Sequence, residues 1–74
     1  MKVQMTLLKP GYVNIKSKPY TIPYQIKIRN HVETLADEIA EANAMVVHTE
    51  DDEFLIIPSN ILKETIIKIV EVKE

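Results

Sequence analysis

Residues 20–42 read YTIPYQIKIRNHVETLADEIAEA, and the apolar period changes in the middle of them. Up to Ile28 it is two. Tyr20, Ile22, Tyr24, Ile26 and Ile28 share one parity, and Thr21, Pro23, Gln25, Lys27 and Arg29 share the other. That alternation predicts a half-buried strand. Pro23 cannot donate to a ladder, so the strand is expected at an edge or broken there. From Asn30 the period becomes helical, with Val32, Leu35, Ala36, Ile39 and Ala40 forming one stripe. Asn30 suits an N-cap, with Glu33 three residues on as in a capping box. Asn43 suits the C-terminal stop. The pattern predicts a helix over 31–42, behind strands and ahead of more of them.

On the N-terminal side, Val3, Met5 and Leu7 alternate with Lys2, Gln4 and Thr6, which predicts a strand over 2–8. Pro10-Gly11 marks a turn. A second strand is expected over 12–16, and Ser17-Lys18-Pro19 reads as a loop. On the C-terminal side, apolar runs at 44–49 and 54–57 flank Glu50-Asp51-Asp52-Glu53. A hairpin with a two- or four-residue loop follows, pairing Thr49 with Phe54 and Val47 with Ile56. Pro58-Ser59-Asn60 ends it, and Ser59 or Asn60 can cap a short turn over 61–64. Residues 65–72 are rich in β-branched side chains and read as a strand. A helical stripe of Ile61, Leu62, Thr65, Ile66 and Ile69 competes. The expected order is β-β-β-α-β-β-β. This is one α+β domain over 1–74, a small antiparallel sheet with one amphipathic helix packed on a face.

The 74 residues carry a net charge of −2 and 46% hydrophobic residues, ordinary for a globular chain. No apolar run is long enough to span a membrane. Cys is absent, which removes disulfides and thiolate-based zinc sites. With no secretory pattern at the N-terminus, a cytoplasmic location is the expectation. No cofactor or metal is implied. So short a chain builds a core worth only roughly 3–5 kcal/mol, and association is a common further support. The second hairpin and the last strand are apolar on both faces, whereas one short helix covers one face. A second copy or a tight protein partner is therefore expected on the other. The candidate interface is Val46, Leu55 and Ile57 with Ile67 and Ile69.

Charge is segregated. Residues 1–30 hold Lys2, Lys9, Lys16, Lys18, Lys27 and Arg29 and no acid; residues 31–53 hold eight acids and no base. The acidic stretch offers Asp37, Glu38, Glu41, Asp51 and Asp52 for docking on a basic partner. The basic stretch offers an alternative, binding of nucleic acid or nucleotide phosphate by Lys2, Lys16, Lys27 and Arg29, with Tyr12 to stack on a base. One Arg is few for phosphate recognition. For catalysis, His48 lies near Glu50, and His31 is expected to be exposed in the first helical turn. No phosphate-binding glycine loop or metal-ligand spacing accompanies them, and Ser17 and Ser59 read as loop and capping residues. The expected function is a non-enzymatic, self-associating interaction module, accessory, regulatory or inhibitory, that occupies a partner's surface.

Overall fold

A computed structural model describes residues 1–73. The fold is α+β: a small antiparallel sheet system with one main helix. The elements are β1 (Lys2–Leu8), β2 (Ile15–Lys16), β3 (Tyr20–Thr21), α1 (Ile28–Glu41), β4 (Ala44–His48), β5 (Phe54–Pro58), α2 (Ser59–Leu62) and β6 (Ile66–Val72). β1 lies at the centre of the first sheet. β6 runs antiparallel along its whole length on one side, from Lys2 opposite Val72 to Leu8 opposite Ile66. β2 and β3 share the other side.

The Pro10-Gly11 turn forms as expected. Tyr12 N–H donates to the Lys9 carbonyl at 3.0 Å, and Gly11 takes φ 84°, the conformation a type II turn demands at its third position. The expected second strand shrinks to Ile15–Lys16, since Tyr12, Val13 and Asn14 stay in the exposed turn. Ser17 still pairs with Met5 through a backbone bond of 2.8 Å. The register then shifts by one, from Leu7 opposite Ile15 to Val3 opposite Tyr20. Lys18-Pro19 is the bulge that absorbs the extra residue, and Pro19 sits where no ladder donor is needed.

The strand expected from Tyr20 to Arg29 ends at Thr21. Pro23 breaks it, as its missing donor requires, and Ile26 N–H closes a turn onto the Pro23 carbonyl. The helix begins three residues earlier than the Asn30 signal. Lys27 is the N-cap, without a side-chain bond, so the Asn30–Glu33 capping box is not used. Ile28 belongs to the helical period with His31, Leu35 and Ile39, the half-buried side of α1. Its place in the preceding alternation is coincidental. No α1 residue is fully buried.

The second hairpin forms with a register one residue from that expected. Val47 faces Leu55, Val46 faces Ile56 and His48 faces Phe54. The loop holds three residues, Glu50-Asp51-Asp52. Asp52 N–H bonds the Thr49 carbonyl, Thr49 N–H bonds the Glu53 carbonyl, and Asp52 takes φ 66°. This is a turn followed by a left-handed residue, the usual three-residue hairpin. Thr49 Oγ1 also accepts the Glu53 N–H. A one-residue slip exchanges faces, so Met45, Val47, Leu55 and Ile57 share one side and Val46, His48, Phe54 and Ile56 the other.

The first of those sides closes over the sheet. Met5, Leu7, Val47, Ile57 and Leu62 make the core, with Ile15, Leu35, Ile39, Ile67 and Ile69 packed against it. The corner between sheet and hairpin runs through residues 16–18. Lys18 N–H bonds the His48 carbonyl and Glu50 N–H bonds the Lys16 carbonyl. Ser17 there is buried; its Oγ accepts the Met5 N–H at 3.0 Å and donates to the Lys18 carbonyl. Residues 66–72 are strand and not helix, and the helical turn before them is confined to α2.

Candidate functional site

The largest group of exposed apolar side chains brought together by one element is the outer side of the β4–β5 hairpin. Val46, Phe54 and Ile56 are 62%, 69% and 74% exposed. Val46 faces Ile56 directly across the strands, at cross-strand contact distance. Phe54 stacks on His48, with ring centroids 4.3 Å apart and planes 10° off parallel. An aromatic ring that meets a histidine on one side and solvent on the other is an anchor of the kind common at protein interfaces.

One end of the patch is acidic. Glu50, Asp51 and Glu53 are exposed beside it, whereas Asp52 is engaged. Its carboxylate accepts from Lys18 Nζ at 2.9 Å and meets His48 Nε2 at 2.7 Å. The Lys18 hydrogen bond first, and that to His48 second, hold its carboxyl below the usual carboxylate range. The His–carboxylate pair therefore uses Asp52 and not Glu50, because the left-handed turn carries Asp52 back over the strand.

The expected interface residues divide. Val46 is exposed, as an interface needs. Leu55 is half-buried, and Ile57 lies on the core side at 8% exposure. Ile67 and Ile69 face the core from β6. The slipped register explains Leu55 and Ile57: an odd loop length reverses the faces that an even one would give. Phe54 and Ile56, which the even loop places inside, are the residues turned out.

The expected basic set divides as well. Lys2 and Lys16 do share the outer face of the sheet with Gln4 and Thr6, and Lys68 joins them opposite Thr6. Lys27 and Arg29 do not, since they belong to the start of α1; Arg29 reaches Glu33 at 3.5 Å. Tyr12 lies in the turn under Lys9, whose Nζ is 5.1 Å from the ring centre. Asp37, Glu38 and Glu41 are exposed on α1, and Asp51 on the hairpin loop.

His31 is half-buried and not exposed. Its Nε2 lies 2.7 Å from Tyr20 Oη, and burial raises the Tyr20 hydroxyl above its ordinary pKa. Both histidines line one groove of about 380 Å³ with Lys18, Tyr20, Leu35 and Met45. His48 and Asp52 form a hydrogen-bonded imidazole–carboxylate pair at the rim of this groove. Ser17, on the same groove, has its hydroxyl committed as both donor and acceptor. Among the described residues no three His, Asp or Glu side chains are placed to hold a metal ion, and no helix is long and apolar enough to cross a membrane. No protein-family model, curated protein or solved structure matches the chain.

Proposed function

We propose that the chain is a non-enzymatic interaction module of the cytoplasm, accessory, regulatory or inhibitory in role, which self-associates and holds a partner protein on its β4–β5 hairpin. The observation that carries this reading is the outward row of Val46, Phe54 and Ile56. A small protein that leaves an aromatic and two branched residues largely in water forgoes much of the roughly 1.5–3 kcal/mol that full burial of each would contribute. An exposed apolar row of this kind supports an interaction surface there. The exposed carboxylates of Glu50, Asp51 and Glu53 suit a partner with a basic rim, and the exposed Asp37, Glu38 and Glu41 of α1 add further acidic docking charge. The non-enzymatic reading is supported by the groove beside the hairpin, where the one serine hydroxyl is committed to the Met5 amide and the Lys18 carbonyl and bonds neither histidine.

Incorporation of p-benzoylphenylalanine at position 54 in the native host tests this reading. Irradiation is expected to give a discrete protein adduct that a second change, Ile56→Lys, abolishes. The same photoprobe at Tyr24, which is 84% exposed and off the hairpin, is expected to give none. Equal labelling from both positions, or none from either, overturns the proposal.

A second reading is favoured by the alignment of Lys2, Lys16 and Lys68 on one sheet face with Gln4 and Thr6. This face would bind nucleic acid or nucleotide phosphate. Binding of a fluorescent single-stranded oligonucleotide is then expected to fall steeply with salt and with Lys16→Glu; no binding at low salt removes it.

A further inference from the structure

We propose that β6 joins two copies of this chain edge to edge, so that their sheets become one continuous antiparallel sheet. This names the self-association surface within the reading above. It is separate from the hairpin patch.

The inference starts from the direction of the backbone groups. Met5 uses both its N–H and its carbonyl on Ser17, so odd residues of β1 point toward β2. Even residues of β1 point the other way, toward β6. Their register partners are the even residues Ile66, Lys68, Val70 and Val72. Consequently Ile67, Ile69 and Glu71 direct their N–H and carbonyl groups away from β1, because a strand alternates sides. Among the described residues none of these groups meets a partner.

This edge lacks the shortness, proline and bulge that blunt edges, and its charges are limited to Lys68 and Glu71. It is seven residues long, it contains no Pro, Gly or bulge, and Lys68 is its one cation. β5, the outer strand of the hairpin, contrasts with it, being five residues long and ending in Pro58.

The edge is also complementary to itself. A two-fold axis through Ile69 places Ile69 against the partner's Ile69 and Ile67 against the partner's Glu71. These are the outward-pointing residues, so each such pair exchanges both backbone bonds. On the outer face Ile66 meets the partner's Val72, and Lys68 meets the partner's Val70. No like charges oppose one another, and the whole strand overlaps. A shift of two residues one way sets Lys68 against the partner's Lys68, which is unfavourable. A shift the other way loses the overlap at Ile66. Ile66 is 65% and Val70 39% exposed in the single chain; the pairing brings both toward the two-fold seam. The contact is isologous and closes at two copies.

Sedimentation velocity and amide exchange test the proposal together. The wild-type chain is expected to sediment at twice its 8.5 kDa mass across the micromolar range. The amides of Ile67, Ile69 and Glu71 should exchange more slowly as concentration rises. A chain synthesised with an N-methyl group on Ile69 loses only an outward donor. Its dimer is expected to weaken by at least about tenfold, since the axis counts the lost bond twice. Glu71→Pro, at an exposed position of the same edge, serves if the methylated chain misfolds, because edge proline is compatible with the monomer. Ile56→Lys should leave the dimer intact. A dimer broken by Ile56→Lys and untouched by the edge changes overturns the proposal and moves the second copy to the hairpin. A monomer in which Ile67, Ile69 and Glu71 exchange freely at every concentration also overturns it. That result leaves the edge for an extended peptide of another protein and does not touch the photocrosslinking result.

Discussion

Ser17 holds the corner of the molecule with one hydroxyl. It is 5% exposed, and its Oγ is the acceptor for the Met5 amide. Ser17→Ala strands that amide in the core, at a cost of about 1–3 kcal/mol, which urea denaturation will resolve; a loss below the measurement error would show that water replaces the hydroxyl. Gly11 has a different vulnerability. Nothing lies within 4 Å of a Cβ built on it, so the cost of Gly11→Ala is purely that of φ 84°, about 1–2 kcal/mol. Gly11→Asn should cost less than the alanine change, and equal losses would refute the conformational explanation. Tyr20 gives a pH dependence. Its folded pKa is raised by burial, so the unfolded chain releases the proton first as pH rises. Stability is therefore full below the ordinary tyrosine value of about 10 and falls as pH climbs toward the folded value. A denaturant midpoint unchanged through this range would contradict it. Single residues of this kind were only partly legible in the sequence. Gly11 was, because φ > 0 has a short list of occupants. Ser17 was not: a serine before Lys-Pro reads as loop, and its value depends on Met5, twelve positions away.

At the level of elements, α1 is amphipathic yet buries none of its residues fully. Its half-buried side, Ile28, His31, Leu35 and Ile39, lies over the core, and a groove of about 320 Å³ separates Val32, Ala36 and Ala40 from Ile67 and Ile69. Elements with shallow packing open at lower free energy than the centre of a fold. Amides of α1 should therefore exchange well before those of β1, whose Val3, Met5 and Leu7 are all buried; equal protection would mean that α1 opens only with the whole molecule. The helix and β1 could be read from periodicity, since burial is what periodicity records, whereas β4 and β5 were legible as apolar runs and β6 from its β-branched residues. The start of the helix could not be read. Ile28 fits both periods, and the choice fell to Pro23, which ends the strand early, and not to the polar signal at Asn30. The face of the hairpin was illegible for another reason. Both sides of 44–57 are apolar, so hydrophobicity does not rank the registers, and the decision passes to the left-handed Asp52.

For the whole molecule, the core joins two layers through a few large side chains. Leu62, on the short α2, is 4% exposed and belongs to the core cluster that joins Met5 and Leu7 of the sheet to Val47 and Ile57 of the hairpin. Leu62→Ala is expected to cost about 2–5 kcal/mol, comparable with the entire stability of a domain this size. Circular dichroism should find that variant largely unfolded at 37 °C, and a cooperative, well-folded protein would show that self-association carries more of the stability than the core. The charge segregation was legible in the sequence, but its placement was not: Lys27 and Arg29 moved off the basic sheet face when the helix claimed them, and Lys68 arrived from the far end of the chain. The three-residue hairpin loop has a last consequence, for how such a chain can change over evolutionary time. Deletion of one loop residue restores an even count and turns Phe54 and Ile56 inward, presenting Leu55 and Ile57 in their place. Because either side can serve as core, that lesion need not be lethal. A single codon lost or gained at this turn would exchange one exposed apolar surface for another on an otherwise unaltered scaffold.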